Sequence, residues 1–590
     1  MNSKYPKTRF GWLWENMRGH RVTFILSIIG TIVYSSMQLV VPYFSGRIVD
    51  GFLSANAPYT IAENRDIFFK MLILMIGLTL FRVIVVYLDC MGYERVSQSV
   101  LSSIRNFLYD KIQRQDMTFY GKYRTGDLMT RMTGDLDAVR HNIAWVVRAV
   151  IESITLFGAC AIYFVIMDVR LALSILLIAP FILILIVFFK RKVAPFHAAL
   201  REKFAHMNTD AQENISGNRV VKAFAAEDHE IEKFDGVNTD YKDTNMATNM
   251  IWLQFFPYVE TCANILPVVL LLVGGIFIIN GSLTMGEYVS FSGLMWAVAV
   301  PMRLLGNIMN EFQRFAAASD KVMEIYYSEP GIKDLPDAID HPERFKGKIE
   351  FQNVSFRYLD GYVNVLNDIS FVAEPGQTIA IMGETGCGKT SLIQMIPRFY
   401  EPTGGHILID DVDIRKYKLS DLRKNIGLAT QDVLLYSDSI EGNIAYGVAH
   451  MSLDQIIKFA KYSAASDFIS KMPEGYDTII GERGVGLSGG QKQRISLARA
   501  LAVEPSILIL DDTTSAVDME TEKEIQHSLR NLDFECTKII IAQRISTTKF
   551  ADRILVLKNG SIAEDGTHEE LIRKKGYYYE LVCLQTGEVI

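Results

Sequence analysis

Several things are scarce or missing in this chain. Its six cysteines, Cys90, Cys160, Cys262, Cys387, Cys536 and Cys583, form no CxxC pair and no zinc-like spacing. That argues against a structural zinc site or a dithiol redox role and predicts free thiols. A basic surplus is also absent: the formal net charge is −7 over 590 residues, so wholesale nucleic-acid binding through a basic surface is not indicated. Internal repeats and low-complexity tracts are not apparent. The first apolar run is span-length and has no small-residue cleavage pattern, so no cleavable signal peptide is expected.

What is present is unevenly distributed. A composition of 49% hydrophobic and 22% charged residues looks ordinary, but residues 1 to about 315 carry long apolar runs, whereas from about 340 onward short apolar strands alternate with polar helices and glycine turns. Crossing a bilayer core takes about 20 mostly apolar residues. Six runs reach that length, at roughly 22–44, 69–91, 142–166, 170–190, 255–279 and 286–309. Charges in or near them, Arg82, Asp89, Arg148, Glu152, Glu260 and Arg303, are costly at mid-membrane unless they are paired, at span ends or facing a wet cavity.

Six crossings put both termini on one side. Lys4, Lys7, Arg9, Arg18 and Arg21 precede the first run, and connections 92–141 and 191–250 are rich in lysine and arginine, so that side is the cytosol. The stretch "TRFGWLWENMRGHR" mixes aromatics with arginines and is expected to form a helix lying in the membrane interface. The expected organisation is an interfacial N-terminal helix over 1–20, a six-helix transmembrane domain with long cytosolic loops over 21–320, a linker over 321–348 and a nucleotide-binding domain over 349–590.

"GETGCGKT", Gly383 to Thr390, fits the phosphate-loop pattern, and it follows an apolar strand, "QTIAIM", and precedes a helix, "SLIQMI". Gly386 and Gly388 let backbone N–H groups wrap phosphate oxygens, the helix N-terminus adds positive potential, and Lys389 neutralises the outer phosphates. Thr390 can place its hydroxyl on magnesium.

About a hundred residues on comes "LSGGQKQR", Leu487 to Arg494, then the acid-ended strand "ILILDD", 507–512, then "SAVD", 515–518. In that order and spacing these motifs resemble the nucleotide-binding domains of ABC ATPases. "FYGKYRTGDLMTRMTGDLDAVR", 119–140, and "ENISGNRVVKAFAAEDHEIEKF", 213–234, resemble the cytosolic loops that exporters of this family press on their ATPase domains. "GERG", 481–484, is similar to a further exporter segment. The resemblance covers essentially the whole chain. It implies an α-helical membrane domain with six transmembrane helices followed by an α/β P-loop ABC ATPase domain, acting as a multidrug-type half-transporter.

The resemblance also implies roles. ATP would be held by Tyr358, stacked on adenine, and by Gly383, Glu384, Thr385, Gly386, Cys387, Gly388, Lys389, Thr390, Ser391 and Gln431. Thr390, Gln431 and Asp511 would serve Mg2+. Leu487, Ser488, Gly489, Gly490 and Gln491 would act on a partner's ATP, and Ser515 and Asp518 would lie in the dimer loop.

Two positions depart from the family. Where a water-polarising glutamate is usual stands Asp512, one methylene short; where a switch histidine is usual stands Gln543, which cannot carry positive charge. A carboxylate displaced by about 1 Å can cost about a hundredfold in rate. Both losses strike hydrolysis and spare binding. The chain thus resembles the degenerate-site subunit of bacterial heterodimeric exporters in the plasma membrane, its "LSGGQ" completing the competent site of a second ABC half-transporter; a homodimer is the slower alternative. Glu260, Trp296 and Arg303 are candidates for a small-molecule cavity. Hydrophobic drugs, lipids and peptides stay open as cargo, and an ATP-gated regulatory or channel protein is the rival reading.

Overall fold

In the computed structural model, described for residues 8–54, 57–61, 63–341, 343–359, 361–481 and 484–586, the chain divides into two compact units. The first comprises residues up to Gln113 and Gly126–Ser328, and the second Arg114–Thr125 and everything from Glu329.

The first unit is helical. Helix α1 (Arg9–Asn16) starts where the Thr8 hydroxyl accepts from the Gly11 amide at 3.2 Å, a side-chain cap for an otherwise unpaired N–H. Its Trp12 meets the Tyr326 ring edge-on at 5.7 Å, and Arg9 forks onto both Asp320 oxygens at 2.8 Å. Trp12, Leu13 and Met17 are buried, while Phe10 and Trp14 stay exposed. Protein packing therefore takes three of the five apolar side chains that the sequence offers to the membrane interface.

Next come α2 (Arg21–Met37), α3 (Arg65–Gln113), α4 (Val147–Met167), α5 (Ile178–Ser216), α6 (Glu227–Val269) and α7 (Met285–Tyr326). Among the described residues, four helical stretches are long and apolar enough to cross a bilayer: Arg21–Leu53, Arg65–Gln113, Thr125–Met167 and Met285–Tyr326. They contain the first, second, third and sixth apolar runs. The runs 170–190 and 255–279 are helical too, with several side chains outside the described residues.

The buried carboxylate of Asp89 is paired in this unit. The Thr31 hydroxyl donates to Asp89 Oδ1 at 3.1 Å, and Arg148 Nε lies 3.3 Å from Asp89 Oδ2 and 3.2 Å from the Tyr34 hydroxyl. That ties α2, α3 and α4 together and gives the Asp89 and Arg148 charges a structural partner, as the apolar setting demands.

The second unit holds two sheets. A four-stranded antiparallel sheet has the order β2 (Leu366–Ala373), β1 (Ile349–Phe356), β4 (Gly404–Ile409), β5 (Val412–Asp413). A six-stranded sheet runs β10 (Ser561–Gly566), β9 (Arg553–Lys558), β3 (Thr378–Gly383), β8 (Thr537–Ile541), β7 (Ile507–Asp511), β6 (Ile426–Ala429). From β9 to β6 it is parallel, and β7 is buried at every position. Helices must then cover both faces, which is why these strands read as unbroken apolar runs. The helices used below are α8 (Lys389–Met395), α9 (Gly489–Ala502), α10 (Met519–Arg530) and α11 (Tyr577–Thr586).

Arg114–Thr125 belongs to this second unit. Asp116 caps the short helix Met117–Lys122 through the Phe119 amide at 3.1 Å, and its other oxygen accepts from the Gly331 amide.

Candidate nucleotide site

Ligands in open parallel sheets bind beyond the carboxyl ends of the strands. Here the order β3, β8, β7, β6 sets four such ends side by side. β3 runs into the phosphate loop, β8 into Gln543, β7 into Asp511 and Asp512, and β6 into Gln431. Residues scattered over 160 positions thereby meet. Tyr358, Thr385, Gly386, Gly388, Lys389, Thr390, Ser391, Gln431, Asp511, Asp512 and Gln543 line one cavity of about 390 Å3.

The phosphate loop has the geometry its glycines permit. Gly388, at φ +102°, precedes α8, and a Cβ there would sit 2.7 Å from Leu366 and 3.0 Å from the Val365 carbonyl. Lys389 Nζ donates to the Gly383 and Glu384 carbonyls, each at 2.8 Å. Glu384 turns outward, accepting from the Tyr577 hydroxyl at 3.0 Å, and Cys387 is buried beneath the loop. The Tyr358 hydroxyl bonds Ser391 Oγ at 2.8 Å, and its ring stands edge-on to Phe356 and Tyr400.

The two adjacent acids differ in partner. Asp511 Oδ2 accepts from the Thr390 hydroxyl at 3.1 Å, so the threonine and the carboxylate face one point beside the loop. Asp512 Oδ2 instead accepts from Gln543 Nε2 at 3.0 Å. Asp512 also has φ +49°, a left-handed backbone that aspartate tolerates better than most residues. Burial pushes both carboxyls above the ordinary aspartate value; Thr390 and Lys389 pull Asp511 back, and Ser515, Arg544 and Lys389 pull Asp512 back.

The signature segment lies elsewhere. Ser488 caps α9 in a reciprocal box, accepting from the Gln491 amide at 3.3 Å while its own amide donates to Gln491 Oε1 at 2.9 Å. Gly490 packs so close to the next loop that a Cβ would approach the Ala516 carbonyl to 2.7 Å. None of Leu487, Ser488, Gly489, Gly490 and Gln491 lines the phosphate-loop cavity. Asp518 caps α10 through the Thr521 amide at 2.9 Å. Glu482 and Arg483 of "GERG" lie outside the described residues.

Four residues that sequence reasoning passed over tie these parts together. Gln493 holds the loop after β7, donating to the Asp512 carbonyl at 3.4 Å and accepting from the Ala516 amide at 3.2 Å. Arg544 donates to the Ser515 carbonyl at 3.0 Å and the Val517 carbonyl at 3.3 Å, and pairs with buried Glu522 at 3.2 Å. Gln585 on α11 donates to the Gln543 carbonyl at 2.7 Å and accepts from the Ile545 amide at 3.0 Å. Tyr577 on the same helix holds Glu384. Gln493 sits inside "LSGGQKQR" and Arg544 follows Gln543 directly, but nothing local marks Tyr577 or Gln585.

In the membrane unit, Glu260 is half-buried and Trp296 is 43% exposed; the Arg303 side chain lies outside the described residues.

A phosphate loop aligned with an acid-ended strand and a glutamine, on a chain whose other half is membrane-length helices, defines a nucleotide-binding P-loop ATPase fused to a membrane domain. Residues 24–302 match the ABC transporter transmembrane region and residues 366–515 the ABC transporter family. The chain is 37% identical to the ABC transporter ATP-binding protein YknU of Bacillus subtilis, over 97% of this chain and 96% of that one. It is 35% identical to the putative multidrug export ATP-binding/permease protein YgaD of the same organism, over 95% and 96% of the two chains. It is also 38% identical to the ATP-dependent lipid A-core flippase of Syntrophus aciditrophicus, over 85% and 83%. A solved bacterial Atm1-family ABC exporter with ATP bound superposes with a TM-score of 0.80 at 27% identity, covering 97% of this chain and all of that one. The chain belongs to the ABC transporters and is an ATP-driven exporter, a multi-pass membrane protein whose membrane and ATPase domains share one polypeptide.

Proposed function

We propose that this exporter works as one half of a heterodimer in a bacterial plasma membrane, with its termini in the cytosol, moving hydrophobic or amphipathic compounds. Its own acid and switch pair, Asp512 and Gln543, is slow in hydrolysis, and its signature segment completes the partner's competent ATP site. The observation that carries this reading is the hydrogen bond from Gln543 Nε2 to Asp512 Oδ2 at 3.0 Å. The Asp512 oxygen that accepts from Gln543 is occupied by that amide and is not free to accept from an attacking water, and an amide so engaged brings no positive charge to a γ-phosphate.

Binding is provided for separately. Lys389 and the loop amides take the phosphates, Tyr358 the base, and the Thr390 hydroxyl, Gln431 and the Asp511 carboxylate form the oxygen-rich set that a hard divalent cation prefers. Magnesium would supply charge neutralisation across the outer phosphates. Across the dimer, the amides at the start of α9 and its helix dipole would face the partner's γ-phosphate.

The test is steady-state ATPase activity of the purified full chain, alone and with a half-transporter that carries the usual glutamate and histidine. Slow turnover alone and recovery with that partner are expected. Brisk turnover by a verified homodimer overturns the heterodimer reading. A lipid as cargo is the second reading, favoured by the 38% identity to a protein named a lipid A-core flippase.

A further inference from the structure

An acid inside a phosphate loop works against the loop's purpose. The second position of "GETGCGKT" is Glu384, a carboxylate two residues from Gly386 in a loop built to wrap phosphate oxygens with its amides. Like charges brought together there cost affinity, and the cost grows with the charge on the nucleotide. The structure shows where this carboxylate goes. The Glu384 carbonyl accepts from Lys389 Nζ at 2.8 Å, while the side chain turns away and accepts from the Tyr577 hydroxyl at 3.0 Å. Thr385 and Gly386 on one side of it line the phosphate cavity; Glu384 is not among the described lining residues.

Tyr577 is well placed to hold it. It opens α11, 193 residues along the chain from Glu384. The amides of Tyr577 and Tyr578 both donate to the Glu564 carboxylate on β10, the second at 3.1 Å. Tyr578 is fully buried, and its hydroxyl meets His568 Nδ1 at 2.8 Å. Eight residues on, about 12 Å along the helix, Gln585 grips the switch segment at the Gln543 carbonyl and the Ile545 amide. Lys558 on β9 stands over the Tyr577 ring, with Nζ 5.0 Å from its centroid, and adds positive potential on the side to which Glu384 is drawn. Burial, and then Glu384 itself, push the Tyr577 hydroxyl above its ordinary value, so it stays a donor at neutral pH.

We propose that Tyr577 is a positioning residue for ATP binding: it holds the Glu384 carboxylate outside the phosphate cavity and so keeps a like charge away from the polyphosphate. Tyr577 acts on the nucleotide only through Glu384. Released from the hydroxyl, the glutamate side chain stays tethered to the loop and spends part of its time beside the phosphates. The proposal rests on the assignment of ATP to the phosphate loop and is independent of whether the two ATP sites are unequal.

The experiment is equilibrium titration of the purified full-length chain with ATP and with ADP, in a two-residue cycle of Tyr577→Phe and Glu384→Gln. Magnesium is left out, so that the phosphates keep their full charge and no turnover intervenes. Tyr577→Phe removes one oxygen and leaves the ring and the amide bond to Glu564 in place. It is expected to raise the ATP dissociation constant about fivefold, the scale on which one hydrogen bond acts, and that of ADP by a smaller factor. In the Glu384→Gln background the same change should have no effect, and Glu384→Gln by itself should bind ATP more tightly than the wild type. An equal factor for ATP and ADP, or a loss that persists with Glu384→Gln, shows that Tyr577 serves packing and overturns the proposal. Unchanged or weaker ATP binding by Glu384→Gln alone also overturns it, and that arm needs no change at Tyr577, so it stands even where the phenylalanine variant misfolds. Absence of ATP binding by the wild type would instead remove the ATP assignment, and the proposal with it.

Discussion

Gln543 Nε2 donates to Asp512 Oδ2 at 3.0 Å while the Gln543 carbonyl accepts from Gln585 at 2.7 Å, so the glutamine is fixed at both its side chain and its backbone. Asp512 is fixed as well, by its amide on the Ile541 carbonyl at 3.1 Å and by its left-handed backbone. The acid and the switch residue form one closed unit on the rim of the phosphate cavity.

Mutation should separate the two ATP sites. In the assembled heterodimer, Asp512→Ala is expected to change steady-state turnover by less than about threefold, since little transition-state stabilisation is lost. Ser488→Ala with Gly490→Val should lower it about a hundredfold or more, the scale for losing an oriented donor aimed at developing charge. Equal losses from Asp512→Ala and from mutation of the partner's glutamate would show equivalent sites.

Restoration is the converse case. Asp512→Glu with Gln543→His returns reach and charge, and should raise single-turnover hydrolysis at this chain's site in a background where the partner's glutamate is removed. Asp512→Glu by itself should recover less, because Gln543 still engages the carboxylate.

Acidity gives a second handle on the site. Burial raises the Asp511 carboxyl above the ordinary aspartate value, so between the ordinary and the raised value the folded nucleotide-free protein holds a proton that the unfolded chain has released. Stability from this group is therefore lost as pH rises through the raised value and regained on acidification. Asp511→Asn should raise the apo melting temperature at neutral pH yet abolish the magnesium-dependent gain in ATP affinity, measured by calorimetry with and without the metal.

Coupling between the units is expected to run through Asp116. Asp116→Ala removes the cap of Met117–Lys122 and the acceptor of the Gly331 amide. Substrate-stimulated ATPase should fall several-fold with basal activity nearly unchanged; a parallel drop in both would indicate misfolding instead. Charge reversal in "ENISG" should give the same asymmetry.

Much of this was legible in the order of motifs along the chain. "GETGCGKT", "LSGGQ" and "ILILDD" carry their chemistry locally, because a phosphate loop, a capping box and an acid-ended strand are each built from adjacent residues. What stayed hidden depends on packing. Gln543 and Asp512 are 31 residues apart, and only the adjacency of β7 and β8 makes them partners. The positive φ at Asp512 has no signature in its neighbours. Trp12 illustrates the same limit in the membrane unit: an aromatic among arginines suits an interface, but Tyr326 takes it into the interior. The paired charges of Asp89 and Arg148 likewise required knowing that α3 and α4 pack on α2.

Helix α11 carries one further consequence. It reaches the phosphate loop through Tyr577 and the switch segment through Gln585, and between them stands the free thiol of Cys583. The protein thus holds a native attachment point for an environment-sensitive fluorophore two residues from the glutamine that clamps the switch. A dye there would report movement of that segment as an optical signal in real time, with no cysteine introduced beside the nucleotide.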